Sequence, residues 1–255
     1  MLSVFQIIII TLYAFIQPNE TAGFKIGMDS PVLAGWFTGL VIGNPVQGLF
    51  IGGTLQLMTL GVATYGGMSI PNTVVGAIVG TVLSLKMDVE LALGIAITVA
   101  TFMIQLDVFR RYACIFLSNA ADALIEKGEY KKAADMNLFG ILVKGLSVCV
   151  PVFLVLLFGE KIADTLTTII PDWITNAMKV SGKCMPVVGI VILLRYLPLK
   201  KHWIFLLIGY LLAAYVGLNT TAITLFGIAV AYGDYYLKKR TANVTVNEME
   251  VEIDD

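Results

Sequence analysis

The chain has 255 residues, 58% of them hydrophobic and 14% charged, with a formal net charge of −1 and a mean hydropathy of +0.85. Soluble domains are about 25% charged and about 45–50% apolar, so this composition excludes an ordinary soluble protein and makes lipid the solvent. At roughly 20 residues per span the length allows about six to nine crossings and no large catalytic domain beside them, and the near-neutral charge gives nucleic acid nothing to bind.

The first residues, MLSVFQIIIITLYAFI, lack a basic n-region and a small-residue cleavage site, which predicts a retained first helix over Leu2–Ile16. Further apolar runs predict helices near Pro31–Ile51, Asn72–Leu85, Leu91–Leu106, Phe139–Phe158, Cys184–Leu197, Trp203–Val216 and Thr220–Leu237. Several are shorter than a full crossing, which implies tilted, broken or re-entrant pieces. Between Asp29 and Lys86 no formal charge occurs, as immersion requires. That stretch is not smoothly apolar. Gly35, Gly39 and Gly43 recur every fourth residue, a flat face for close packing, and Asn44-Pro45, Gly52-Gly53, Gly66-Gly67 and Pro71-Asn72 are breaker signals. Non-helical backbone at membrane depth survives only beside protein or water, so an interrupted segment points to a transporter's binding site.

Lysine and arginine cluster at Arg110 to Lys132, at Lys200–Lys201 and at Lys238–Arg240, with an even number of predicted crossings between successive clusters. All three can therefore be cytoplasmic together. Ala120–Met136 then reads as a charged helix on the cytoplasmic face, Glu160–Lys183 as an amphipathic segment on the opposite face, and residues 241–255 as an acidic, disordered cytoplasmic tail. A membrane-embedded domain over residues 1–240 carries the cytoplasmic loop at about 107–138. Cys114, Cys149 and Cys184 are widely spaced and read as small buried hydrophobes.

Catalytic chemistry is hard to assemble. The one histidine, His202, lies in the basic turn Lys200-Lys201-His202-Trp203, and no Walker, HExxH or dinucleotide fingerprint occurs. No metal or cofactor is expected. The uncharged stretch offers neutral groups instead: Asn44, Gln47, Thr54, Gln56, Thr59, Thr64, Tyr65, Ser69 and Asn72. Amides both donate and accept without the desolvation penalty of a charge, which suits the hydroxyls of a sugar. Asp107 beside Arg110 and Arg111, and Asp234 beside Lys238, read as salt bridges at cytoplasmic helix ends.

Ser30-Pro31-Val32-Leu33-Ala34-Gly35, then Gly52-Gly53-Thr54-Leu55-Gln56-Leu57-Met58-Thr59-Leu60-Gly61, then Gly66-Gly67 and Ser69-Ile70-Pro71 resemble membrane subunit IIC of the mannose/fructose/sorbose-type phosphoenolpyruvate:sugar phosphotransferase system. Gln105-Leu106-Asp107 and Asn119-Ala120-Ala121-Asp122 are similar to the family's entry into its cytoplasmic loop. The resemblance implies an all-α polytopic fold with broken helices, a core sliding against a scaffold in a bacterial plasma membrane. It implies a second membrane subunit, IID, in a trimer of IIC–IID heterodimers. Cytoplasmic IIA and IIB components are implied too, with IIB phosphorylating the sugar, so this chain itself is not an enzyme. It implies substrate contacts at Gln56 and within Thr64 to Asn72, so Asn44, Gln56, Thr64, Tyr65, Ser69 and Asn72 are the expected binding residues. Where relatives often carry Asp, this chain has Asn44 and Asn72, which implies a shifted preference such as an N-acetylated or amino sugar. A stand-alone ion-coupled transporter, or a receptor-like protein whose glycines serve packing only, are the other readings of the same residues.

Overall fold

The computed structural model of the protein describes residues 2–22, 25–60, 70–169 and 171–253, and the side chains of all of these but 21–22, 160–169, 172, 183, 185, 201 and 237–253. Among the described residues every regular element is a helix. They form two compact units, Met1–Tyr196 and Leu197–Asp255.

In the first unit α1 (Val4–Ile16) opens with a capping box. Ser3 Oγ accepts from the Gln6 N–H at 3.2 Å and Gln6 Oε1 accepts from the Ser3 N–H at 2.8 Å, satisfying two otherwise orphaned donors. A 3₁₀ turn at Gln17–Ala22 leads through a loop to α2 (Pro31–Ile42) and α3 (Pro45–Met58). The continuous helix expected over Pro31–Ile51 is therefore two helices. Gly43 takes a left-handed φ of 84° as the cap of α2, and Pro45 starts α3. A left-handed glycine ends a helix and a proline at the first position starts one, and both outweigh the apolar run that crosses them.

The two helices pack as a hairpin with almost nothing between their backbones. A Cβ on Gly48 would meet Gly39 Cα and the Gly35 carbonyl carbon at 3.0 Å, and one on Gly39 would meet Pro45 Cα at 3.0 Å. Glycine faces of this kind bring helices together in lipid, where dispersion and not water expulsion drives association. Gly35 and Gly39 thus form the expected face, whereas Gly43 terminates it.

Next, α4 (Thr73–Leu83) has all eleven of its residues buried. It lies against α2, α3, α5 (Val89–Glu126) and α6 (Tyr130–Ile169). At 12, 14 and 11 residues, α2, α3 and α4 are about 18, 21 and 16 Å long at 1.5 Å per residue, short of the roughly 30 Å hydrocarbon layer. None spans it alone. Among the described residues the helices long and apolar enough to do so are Val89–Glu126, Tyr130–Gly159 and Trp173–Tyr196.

The two long helices overturn one expectation. Ala120–Met136 is not a separate helix on the membrane face. Residues up to Glu126 continue α5, Gly128 turns the chain at φ 75°, and Tyr130 begins α6. Good helix formers on both sides of one glycine extend the spans instead of ending them. Similarly α7 (Asp172–Tyr196) takes up the second half of the segment expected to lie amphipathically on the opposite face. Cys184 on α7 is exposed, unlike the half-buried Cys114 and Cys149.

The second unit consists of α8 (Leu199–Ala214) and α9 (Thr220–Ile253). A non-helical His202 (φ −125°, ψ 20°) kinks the start of α8. The helical backbone of α9 runs on to Ile253, across the stretch read from sequence as a disordered tail.

Candidate polar cavity at two helix ends

The loop entering α2 is fixed before any ligand arrives. The Glu20 carboxylate, 7% exposed, accepts the N–H groups of Ile26 and Gly27 on Oε1 and that of Asp29 on Oε2 at 2.9 Å. Burial pushes its carboxyl up, but the backbone donors Gly27, Asp29, Ile26 and Met28 together outweigh burial and hold it below the usual carboxylate range. Tyr13 Oη donates to the Met28 carbonyl at 2.7 Å, and Gln17 Nε2 donates to Asp29 Oδ1. Asp29 leaves part of its surface to solvent while its carboxyl sits against this packed turn. Partial desolvation raises its pKa, and the Gln17 bond offsets only part of that.

Beside this loop lies a cavity of about 300 Å³, at the lower end of the size range for small-ligand sites. Gln56 and Thr59 reach it from the C-terminal end of α3, Asn72 and Thr73 from the N-terminal end of α4, and Met103, Asp107 and Arg111 from α5. The backbone groups at these ends are largely spent inside the protein: the Gln56 carbonyl accepts from Thr59, the Leu57 carbonyl from the Leu60 N–H, and the Thr73 N–H donates to the Pro71 carbonyl. What the two ends bring to the cavity is therefore side chains, the neutral amides of Gln56 and Asn72, beside the charged Asp29, Asp107 and Arg111.

Each amide at the cavity is anchored by the fold. Gln56 Oε1 accepts from Ser30 Oγ at 3.0 Å, and Thr59 Oγ1 donates to the Gln56 carbonyl at 2.9 Å. Asn72 Oδ1 caps α4 by accepting the Val75 N–H at 3.1 Å, while the Asn72 N–H donates to the Ala100 carbonyl of α5 at 3.0 Å. The Asn72 carbonyl oxygen therefore holds the helix end, and its amide nitrogen is the group left to meet a ligand.

The structure brings Gln56 and Asn72 together and leaves Asn44 elsewhere. Asn44 precedes the other end of α3, about 18 Å from Gln56 by helix rise, where its Nδ2 donates to Gln47 Oε1 at 2.8 Å. That Gln47 oxygen also accepts from Ser84 Oγ at 3.4 Å. Thr64, Tyr65 and Ser69 lie outside the described residues. Sequence reasoning did not assign Asp29, Asp107 or Arg111 to the site. Asp107 does make the expected ion pairs, through Oδ1 with Arg110 and through Oδ2 with Arg111 Nε at 2.9 Å, but Asp107 and Arg111 also line the cavity. Their signal was the spacing: Met103, Asp107 and Arg111 recur every four residues, on one face of one helix. His202 belongs to the second unit, where it lines an apolar groove of about 450 Å³ between α8 and α9.

The comparisons with known proteins agree with this architecture. The profile of the family described as "PTS system sorbose-specific IIC component" matches residues 4–233. A fructose permease IIC component of Bacillus subtilis (strain 168) is 28% identical over 232 residues, 90% of this chain and 86% of the relative. Two solved structures share the fold at 22% identity. One, titled as a membrane protein structure, has a TM-score of 0.77 and is matched over 93% of this chain and 97% of its own. The other, a cryo-EM structure of the mannose transporter ManYZ in complex with microcin E492, has a TM-score of 0.59 and is matched over 92% and 96%. With nearly the whole length covered by one profile and the broken-helix fold shared, the chain belongs to the sorbose-type IIC family of membrane-embedded sugar permease components of the phosphotransferase system.

Proposed function

We propose that this IIC chain carries a hexose or amino sugar inward through the cavity between the ends of α3 and α4, acting with a IID membrane subunit and a phosphorylated cytoplasmic IIB. The observation that carries the proposal is the meeting of Gln56 and Asn72 at two opposed helix ends, both amides anchored by backbone and neighbouring side chains. Thr64, Tyr65 and Ser69 complete the contacts in this reading, with Asn44 tuning the far end of the hairpin. The short helices α2 to α4 form the moving core of an elevator-type transporter, and the long helices form its scaffold. Phosphoryl transfer belongs to IIB. The assembly is a trimer of IIC–IID heterodimers in a bacterial plasma membrane, with the α5–α6 turn and the C-terminus cytoplasmic, because that places all three basic clusters on one side.

Phosphorylation-coupled uptake by the reconstituted complex tests this. Gln56→Leu and Asn72→Leu should each lower uptake at least tenfold, and uptake at the wild-type rate in both would overturn the proposal. Gradient-driven sugar flux by the chain alone, with neither IID nor a phosphoryl donor, would favour a stand-alone transporter.

A further inference from the structure

A neutral sugar needs no guanidinium, yet the cavity that holds Gln56 and Asn72 is also lined by Arg111. A cation in such a site needs an electrostatic reason, since removing it from water is costly unless it is compensated. Asp107 supplies part of that compensation and also aims the group. Its Oδ2 takes Arg111 Nε at 2.9 Å, and its Oδ1 is shared with Arg110. One carboxylate thus steadies two guanidinium groups. Arg111 keeps 43% of its side chain exposed, so the group is open on one side.

The separation is informative. Asn72 is tied by its N–H to the Ala100 carbonyl, and helical side chains lean toward the N-terminus. The Arg111 guanidinium therefore lies near the level of Asp107, seven residues along α5 from Ala100 and about 10 Å by helix rise. That is the scale of a six-carbon sugar carrying a phosphate on its far end. Among side chains, arginine matches a phosphate best because its planar fork makes two parallel bonds to phosphate oxygens.

We infer that Arg111, positioned by Asp107, is the phosphate-binding group of the sugar cavity, so that the site takes the phosphate ester of its sugar as well as the free sugar. This rests on the sugar-site reading above. In it, Gln56 and Asn72 hold the hydroxyls at the helix ends and Arg111 holds the phosphate toward water. Asp29, the other carboxyl lining the cavity, sits with the hydroxyl-binding amides and works against an anion, which makes the single guanidinium decisive for the ester.

The test is equilibrium binding to the purified full chain in lipid nanodiscs, with fructose, mannose and N-acetylgalactosamine and with their 6-phosphates as probes. The wild-type protein should bind a sugar and its 6-phosphate with comparable affinity, and ester binding alone should weaken as salt rises. Arg111→Gln should lower the ester-to-sugar affinity ratio at least tenfold, Arg111→Lys should lower it less, and Asn72→Leu should weaken both ligands without changing the ratio. A sugar that binds the wild-type protein while its 6-phosphate does not, or a ratio unchanged in Arg111→Gln, overturns the inference and leaves the sugar site standing. Binding of none of the three sugars overturns the sugar-site reading and this inference with it. The wild-type comparison is decisive even where a variant does not fold.

Discussion

Two identical substitutions about one and a half turns apart on α3 should change stability differently. A Cβ on Gly48 meets only backbone of α2, falling on the Gly35 carbonyl oxygen and lying 3.0 Å from both Gly35 C and Gly39 Cα, whereas a Cβ on Gly53 has nothing within 4 Å. Ordinary carbon contacts are about 3.5–4.0 Å, so with the Gly35 carbonyl oxygen closest of all Gly48→Ala must part the hairpin by about 1 Å or more. No flexible side chain can absorb that. Overpacking of this kind costs about 1–3 kcal/mol, while replacing a helical glycine by alanine gains about 1 kcal/mol. Gly48→Ala should therefore end between neutral and about 2 kcal/mol less stable, and Gly53→Ala up to about 1 kcal/mol more stable, a gap of about 1–3 kcal/mol. At about 2–4 °C per kcal/mol for a chain of this size, thermal unfolding of the detergent-purified variants should separate them by about 2–12 °C. Gly48→Ala melting at or above Gly53→Ala would refute a hairpin in backbone contact.

Gly189 on α7 packs on the last carbonyls of α3, where a Cβ would meet the Met58 carbonyl oxygen at 2.8 Å and the Leu57 carbonyl oxygen closer still. Gly189→Ala should displace Gln56 and weaken sugar binding several-fold, measured by equilibrium binding. Asn72→Asp keeps the acceptor that caps α4 and should melt near wild type, whereas Asn72→Leu should lose about 1 kcal/mol of cap stability, read by thermal unfolding. The pH response of the α2 entry loop has two opposing parts. Glu20, held low in the folded protein, contributes stability that is present above the unfolded carboxylate value of about 4.3 and is lost as pH falls through its folded value. Asp29, raised in the folded protein, costs stability when ionised and returns it as pH falls through its own folded value. Glu20→Gln should thus lower the melting temperature at pH 7 and flatten its decline below about pH 4.3. Finally, His202→Ala should leave phosphorylation-coupled uptake intact, since His202 lines the α8–α9 groove and not the proposed sugar cavity.

The class of protein was legible because hydropathy is additive along the chain, and the irregular centre was legible because glycine and proline act locally. Gly43-Asn44-Pro45 shows the limit. The residues were recognisable as a break, yet the apolar pattern continues across them, and only the packing of α2 on α3 decides that the chain reverses there. The reach of α5 to Glu126 was hidden for the opposite reason. Hydropathy ends at the membrane surface while backbone hydrogen bonding does not, so a helix can leave lipid without ending. Gln56 and Asn72 were visible as neutral hydrogen-bonding groups within the uncharged stretch. Arg111 was not, because a charge at the end of an apolar run looks the same whether it faces bulk water or a cavity. That difference depends on which elements stand opposite, and Asp29, Gln56 and Asn72 come to stand there only through the fold.

The position of the proposed site at the ends of short helices fits what a sugar demands. Ending α3 at Met58 and starting α4 at Thr73 brings the neutral amides of Gln56 and Asn72 to one cavity, while most backbone groups at the two ends find partners within the protein. The unmatched groups would be costly in lipid, so the surrounding helices must seal them from acyl chains. The complete burial of α4 and the contact of α7 with α3 at Gly189 do this. The glycines and the amides are therefore parts of one device. Close backbone packing fixes the broken ends, and in the proposed site the amides held there, Gln56 and Asn72, are the donors and acceptors for a hydroxyl-rich ligand. A substitution that opens the packing should weaken sugar binding even where it touches no ligand contact.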